Sequence, residues 1–297
     1  MLDIFLNSVV PAFVVITIGI LLGSKVASGI AIINRLALYA AVPALVFTSL
    51  LASELTLSGA VRLVIGHGLF LVAMYLLAQL LSSRYPPGVR RAFVATSVFG
   101  NAANLMLPIT LFALGEAALE RAILLYVFVT IVLYTLGPLV LAGREGMASR
   151  STADLLRLPV VWAAVAGVAL NLLGWELPTG LSRGFDLLSD AAIPLVLLVL
   201  GIQIYRSGLN VPGRASFGAA LFKLLIGPLV GYGVAFLVGA RGLDLSVLTL
   251  LAAMPPAVNT LILAIEFGGD ADQVAKTLVL ATLGSLLSLT VVIALLT

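Results

Sequence analysis

Ten apolar runs, each about 20 residues long, follow one another along the chain and decide its class. They fall near residues 4–23, 30–52, 60–82, 92–114, 121–142, 159–175, 185–205, 216–238, 245–267 and 274–296. At about 1.5 Å of rise per residue, a helix of that length crosses roughly 30 Å of hydrocarbon. The runs are continuous, whereas barrel strands alternate apolar and polar residues. The expectation is an all-α polytopic membrane protein with ten transmembrane helices. Only 10% of residues are charged, against about 25% in soluble domains. With no cysteine, disulfides, thiol nucleophiles and cysteine metal sites are excluded. The start, MLDIFLNSVVPAFVV, carries an acid and no basic stretch, so it is read as a first span rather than a cleaved signal.

Basic residues set the orientation. Connections after spans one, three, five, seven and nine hold Lys25, Arg84, Arg90, Arg91, Arg144, Arg150, Arg157, Arg206, Arg214 and Lys276. The opposite side holds Arg62, Arg121, Arg183 and Arg241. Ten against four places the odd connections in the cytoplasm and both termini outside a cell membrane, expected to be a bacterial inner membrane. The net charge of +3 is accounted for by these loops, and no nucleic-acid partner is implied.

Two spans are interrupted at mid-depth. FGNAANLMLP, from Phe99 to Pro108, contains flexible Gly100 and two amides, Asn101 and Asn104, that are costly to strand in hydrocarbon. Its Pro108 removes a backbone donor and crowds the carbonyl one turn earlier. MPPAVN, from Met254 to Asn259, repeats the theme. Broken helices free backbone polar groups, which a membrane tolerates only where protein or a wet cavity receives them. A matched pair of interrupted spans in corresponding halves points to a transporter's binding site. The alternative is two kinked helices with packing amides.

The halves also match in order. Pro11 opens PAFVVITIGILLG and Pro159 opens PVVWAAVAGVALNLLG; Ala40–Pro43 matches Ala191–Pro194; Arg62–Gly66 matches Lys223–Gly227; Pro108 corresponds to Pro255 and Pro256. Five spans per unit make the second copy run upside down, an inverted-topology repeat with units 1–143 and 159–297 joined by a cytoplasmic linker, 144–158.

These segments, with LALYAAVPALVFTSL, SDAAIPLVLLVLGIQI and MPPAVNTLILAIEFGGD, carry a resemblance across essentially the whole chain. It resembles the auxin efflux carrier family, which includes plant auxin exporters and bacterial carriers of small organic acids. The resemblance implies a ten-helix fold like that of bile-acid and sodium/proton carriers. In it, spans 1, 2, 6 and 7 form a scaffold, spans 3–5 and 8–10 an elevator-like transport domain, and spans four and nine cross at mid-membrane; a homodimer is implied as well. Asn101 precedes Pro108 by seven residues, as in the family. Pro255 fits the family's first proline in span nine, but Thr260 stands where plant members carry another, with Asn259 as its polar substitute. With that departure plant auxin specificity does not carry over directly: indole acids, malate, malonate and other carboxylates all fit, and the long central loop of plant members is absent.

The candidate substrate-binding residues are Asn101, Asn104, Pro108, Pro255, Asn259 and Thr260. Candidates for coupling or support are Asp190, His67, Gln203 and Glu266. Acids inside membranes are functional by default, yet Asp190 also reads as a helix N-cap in Ser189-Asp190. His67, between two glycines, reads either as a proton relay or as hydrogen-bonded filler. Glu266 reads as interfacial. Arg35 and Lys223 have stems long enough to snorkel to a surface, and the alternative for either is to screen an anion in the pathway. Ser285 and Ser288 read as small packing residues. The function these observations imply is secondary transport of small organic anions by alternating access, in contact with membrane lipid and without a cofactor. A sodium- or proton-coupled symporter of the bile-acid type is the competing reading. No metal site is expected, and an intramembrane enzyme would need a nucleophile and base that one histidine and no cysteine do not supply.

Overall fold

A computed structural model describes residues 1–26, 29–142, 157–208 and 212–297, and every regular element among them is helical. The expected linker at 144–158, with Arg144 and Arg150, lies up to residue 156 outside the described residues; so do parts of the connections after the first and seventh spans. Twelve helices carry the described chain: α1 (Leu2–Val26), α2 (Ile30–Leu51), α3 (Leu57–Leu81), α4 (Pro87–Val98), α5 (Ala102–Leu114) and α6 (Glu116–Ala142). Then come α7 (Pro159–Leu172), α8 (Thr179–Ser207), α9 (Arg214–Leu237), α10 (Gly242–Ala253), α11 (Val258–Glu266) and α12 (Ala271–Leu296). Seven of these, α1, α2, α3, α6, α8, α9 and α12, are long and apolar enough to cross a membrane by themselves. The windows expected for spans four and nine are each divided into two helices, α4 with α5 and α10 with α11. Large apolar side chains stand exposed on the outer faces, among them Leu21, Leu172 and Leu237. That pattern suits lipid contact and is the reverse of a water-facing surface.

Proline shapes several helices without ending them. Widened π-helical turns at Phe5–Val9, Ala37–Ala41, Ala102–Met106 and Phe222–Ile226 each stop two residues before a proline: Pro11, Pro43, Pro108 and Pro228. A proline ring crowds the carbonyl four residues back and offers it no donor. Winding that turn one residue wider relieves the clash and keeps the remaining carbonyls bonded. Pro108 is thus accommodated by a bulge, which corrects the expectation that it breaks its helix. The chain leaves helical geometry earlier, at Phe99 and Gly100, nine and eight residues before Pro108 (108 − 99 and 108 − 100).

The helices pack in two groups, the second of which includes the interrupted helices' first halves, α4 and α10. In the first, α1 lies along α8, and α2 packs between α7 and α8. Glycine makes the α1–α8 approach possible: a β-carbon on Gly201 would lie 2.1 Å from the Ile16 carbonyl oxygen, and one on Gly19 2.4 Å from that of Leu198. Asn171 on α7 donates its amide to the carbonyls of Leu51 (2.7 Å) and Ser53 (3.0 Å), closing the end of α2. In the second group, α9 packs on α3, α10 and α12, and α4 on α3, α6 and α9. One end of the helix array is tied by Asp244, which accepts from Arg121 at 2.7 Å and pairs with Arg62 at 3.7 Å. These are residues assigned to the side opposite the basic loops.

Candidate functional site: a crossing of two broken helices

The two interruptions meet. Asn101 N–H donates to the Pro255 carbonyl (2.8 Å), Ala257 N–H donates to the Phe99 carbonyl (2.9 Å), and Gly100 and Pro256 pair as an antiparallel bridge. Each freed segment therefore satisfies the other, as a buried backbone requires. The residue that meets Pro256 in space is Gly100; Pro108, its counterpart in the sequence match, lies two turns along α5. Gly100 suits the position because a β-carbon there would sit 3.3 Å from the Leu251 carbonyl oxygen and 3.6 Å from the Met254 β-carbon.

Asn101 caps α5. Its Oδ1 accepts from the Asn104 backbone N–H at 3.0 Å, while its Nδ2, buried with the rest of the side chain, makes no hydrogen bond. Asn101, Asn104 and Asn259 line one small chamber of about 20 Å³, with Tyr126 and Thr130 of α6 opposite them. That volume suits a single water. Tyr126, Thr130 and Asn259 also line the inner part of a vestibule of about 320 Å³. Arg157, Pro159 and Glu266 stand around the vestibule, so it opens at the end of the array where α7 starts and α11 finishes. Pockets of about 300 Å³ and above receive small molecules. A bigger cavity, about 840 Å³ between α9 and α12, is lined almost wholly by aliphatic residues and lies away from both amides and charges.

Of the other sequence candidates, Pro255 supplies the carbonyl that Asn101 uses, and Thr260 is fully buried behind the chamber with its hydroxyl unpartnered. Pro108 is buried in the first turn after the α5 bulge. Glu266 is exposed near the vestibule mouth at the end of α11. Asp190 and Gln203 are on α8, and neither lines the chamber or the vestibule. Asp190 lies well inside α8 and is exposed, so the N-cap reading is corrected: the helix starts at Thr179, before the span expected at 185. His67 is buried and makes no hydrogen bond; its ring sits 5.3 Å from Phe70 and 6.1 Å from Phe128. The hydrogen bond that the filler reading assumed is therefore absent.

Lys223 departs furthest from expectation. It does not snorkel; it is fully buried, and its Nζ lies 3.6 Å from where a Gly100 β-carbon would be. Sequence reasoning also passed over Tyr126 and Thr130. Their spacing of four on an apolar helix puts both hydroxyls on one face, which was the available signal.

Residues 4–293 match the family described as membrane transport protein. The chain belongs to this family. An uncharacterized transporter of Methanothermobacter thermautotrophicus is 33% identical over 264 residues, covering 86% of each chain. A putative malonate transporter of Rhizobium meliloti is 25% identical, covering 87% of this chain and 84% of its own. Auxin efflux carrier component 1 of Arabidopsis thaliana is 26% identical over 139 residues, 43% of this chain and 22% of its own. The sequence resemblance and the family match thus name one group, and the multi-pass helical architecture described above is what a member requires.

Proposed function

We propose that this protein is a secondary transporter of small organic anions, carboxylates above all, which bind at the crossing and move by alternating access. The observation that carries the reading is the meeting of two helix breaks beside three asparagines. The α5 and α11 N-termini start at the crossing, at Asn101 and Ala257. Each helix N-terminus carries about half a positive charge on unsatisfied N–H groups, so two of them offset roughly one carboxylate. The amides of Asn101, Asn104 and Asn259 are placed to add directed donors. The putative malonate transporter among the relatives supports the same substrate class.

The architecture that goes with this function counts α4–α5 and α10–α11 as one crossing each, giving ten in two inverted five-helix units. In it, α1, α2, α7 and α8 form the scaffold of a homodimer, and the remaining helices carry the crossing. The chamber of about 20 Å³ holds no organic acid as it stands, so the cargo enters through the vestibule and the crossing relaxes around it. Membrane potential alone can drive export: 100 mV, inside negative, expels one negative charge with about 2.3 kcal/mol, or nearly a 50-fold gradient. The test uses proteoliposomes with the lumen clamped positive by potassium and valinomycin, without sodium and at equal pH. Uptake of labelled malonate or another carboxylate should follow the imposed voltage. Uptake that ignores voltage and demands a sodium or proton gradient would overturn the mechanism in favour of a symporter.

A further inference from the structure

The crossing has two faces. The N-terminal ends of α5 and α11 start on the face with the asparagines. The C-terminal ends of α4 and α10, at Phe99 and Met254, arrive at the same two breaks. The last four carbonyls of a helix lack intrahelical donors and carry about half a negative charge. Two such ends present roughly one negative charge to whatever faces them. Half-helix C-termini of this kind are where broken-helix carriers hold coupled cations.

In this protein Lys223 faces them. Glycine lets α9 come close to α10: a β-carbon on Gly227 would lie 2.6 Å from the Ala252 carbonyl oxygen, in the last turn of α10, and 3.8 Å from Lys223 Cδ. The lysine stem therefore runs past the end of α10 and its Nζ arrives beside Gly100, where the Leu251 carbonyl also points. The ammonium is fully buried, makes no hydrogen bond, and lies 5.1 Å from the centre of the Phe70 ring. No carboxylate pairs with it among the described residues. A buried charge without a partner is costly; among the described residues the field of the two helix ends and the ring face compensate it.

We propose that Lys223 is a built-in cation: its ammonium stands at the convergent C-termini of α4 and α10 in place of a coupled monovalent ion, so that anion movement needs no sodium. The inference rests on the reading of 99–101 and 254–257 as the transport crossing. It adds that the cation half of the site is covalently supplied. The lysine is a positioning residue, acting on the anion through the electrostatics of the crossing.

The test separates the cation from the cargo. Thermal unfolding of the purified protein is followed by intrinsic fluorescence while sodium or ethylammonium chloride replaces choline chloride at constant ionic strength. Wild type should show no saturable response. Lys223→Ala, which opens room for a small cation, should gain one: a rise in Tm of several degrees that saturates with ethylammonium or sodium. Lys223→Met, whose side chain fills that room, should stay flat. A saturable sodium response in wild type, or a folded Lys223→Ala variant that ignores both cations, overturns the proposal. Recovery of Lys223→Ala only from buffers containing ethylammonium is a supporting result. If it is recovered from neither, Lys223→Arg and Lys223→Met decide by direct calorimetry of malonate, or of whichever carboxylate binds wild type. Arg must keep the affinity and Met lose at least tenfold, and equal affinities overturn the assignment. Absence of carboxylate transport in wild type would count against the proposed function and leave the cation titrations to decide this one.

Discussion

Asn101 performs two tasks with two different atoms, and substitution can pull them apart. Its Oδ1 accepts from the Asn104 N–H at 3.0 Å and so caps α5; its buried Nδ2 has no partner and, on the proposed function, is the donor to the anion. Asn101→Ala removes both. Loss of a cap costs about 1 kcal/mol, within a range of about 0.5–2, which for a chain of this size lowers Tm by about 2–4 °C per kcal/mol. Loss of a donor to a desolvated carboxylate costs about 1–3 kcal/mol, or roughly 5- to 150-fold in affinity. Asn101→Asp keeps an acceptor of the same shape at the α5 N-terminus, where negative charge is favourable. It removes the donor and sets a carboxylate against the anion. Its Tm should therefore equal or exceed that of wild type while affinity falls at least as far as in Asn101→Ala. The assay is differential scanning fluorimetry for stability beside isothermal titration with the best carboxylate of a thermal-shift series, in which ligands of the folded state raise apparent stability. Wild-type affinity in Asn101→Asp would refute the amide donor and reduce Asn101 to a cap.

Asn259 makes no cap: α11 begins at Val258 after Ala257, with no side-chain cap bond. Asn259→Ala should therefore weaken carboxylate binding by roughly 5- to 150-fold with Tm unchanged, as calorimetry and unfolding together would report. Gly201→Ala should destabilise by about 1–3 kcal/mol or more, because the new β-carbon would lie 2.1 Å from a backbone oxygen and α1 must move away from α8; thermal unfolding in detergent measures it. Single cysteines at Ser151 and Thr297, challenged with an impermeant label on intact cells, should label at 297 and stay silent at 151, and the opposite pattern reverses the orientation.

Much of this architecture was legible from hydrophobic length alone, since an apolar run of 20 residues has few other uses. The breaks were legible because glycine, paired prolines and asparagine all conflict with a lipid-facing helix. Their exact place was less so. Pro108 advertises a break more loudly than Gly100 does, yet a helix absorbs a proline by one wide turn, whereas close passage of a second backbone leaves little room for a β-carbon at Gly100. Lys223 was misread because a single lysine carries no mark of depth. Position would have supplied it: the residue lies nine residues into α9 (223 − 214), roughly 14 Å from the helix start at 1.5 Å per residue, beyond the reach of its stem. Tyr126 and Thr130 hid for the opposite reason, since hydroxyls are ordinary in apolar helices until something polar is seen to face them.

The bonds that hold the two breaks together run entirely between main-chain atoms, from Asn101 N–H to the Pro255 carbonyl and from Ala257 N–H to the Phe99 carbonyl. Such a joint is indifferent to most side-chain replacement around it. A lineage can therefore exchange the chemistry at positions 101, 104, 126, 130 and 259 and retain the frame that carries it. On the function proposed above, selectivity in a carrier built this way is a matter of furnishing, free to drift from one cargo to another while the frame stays the same.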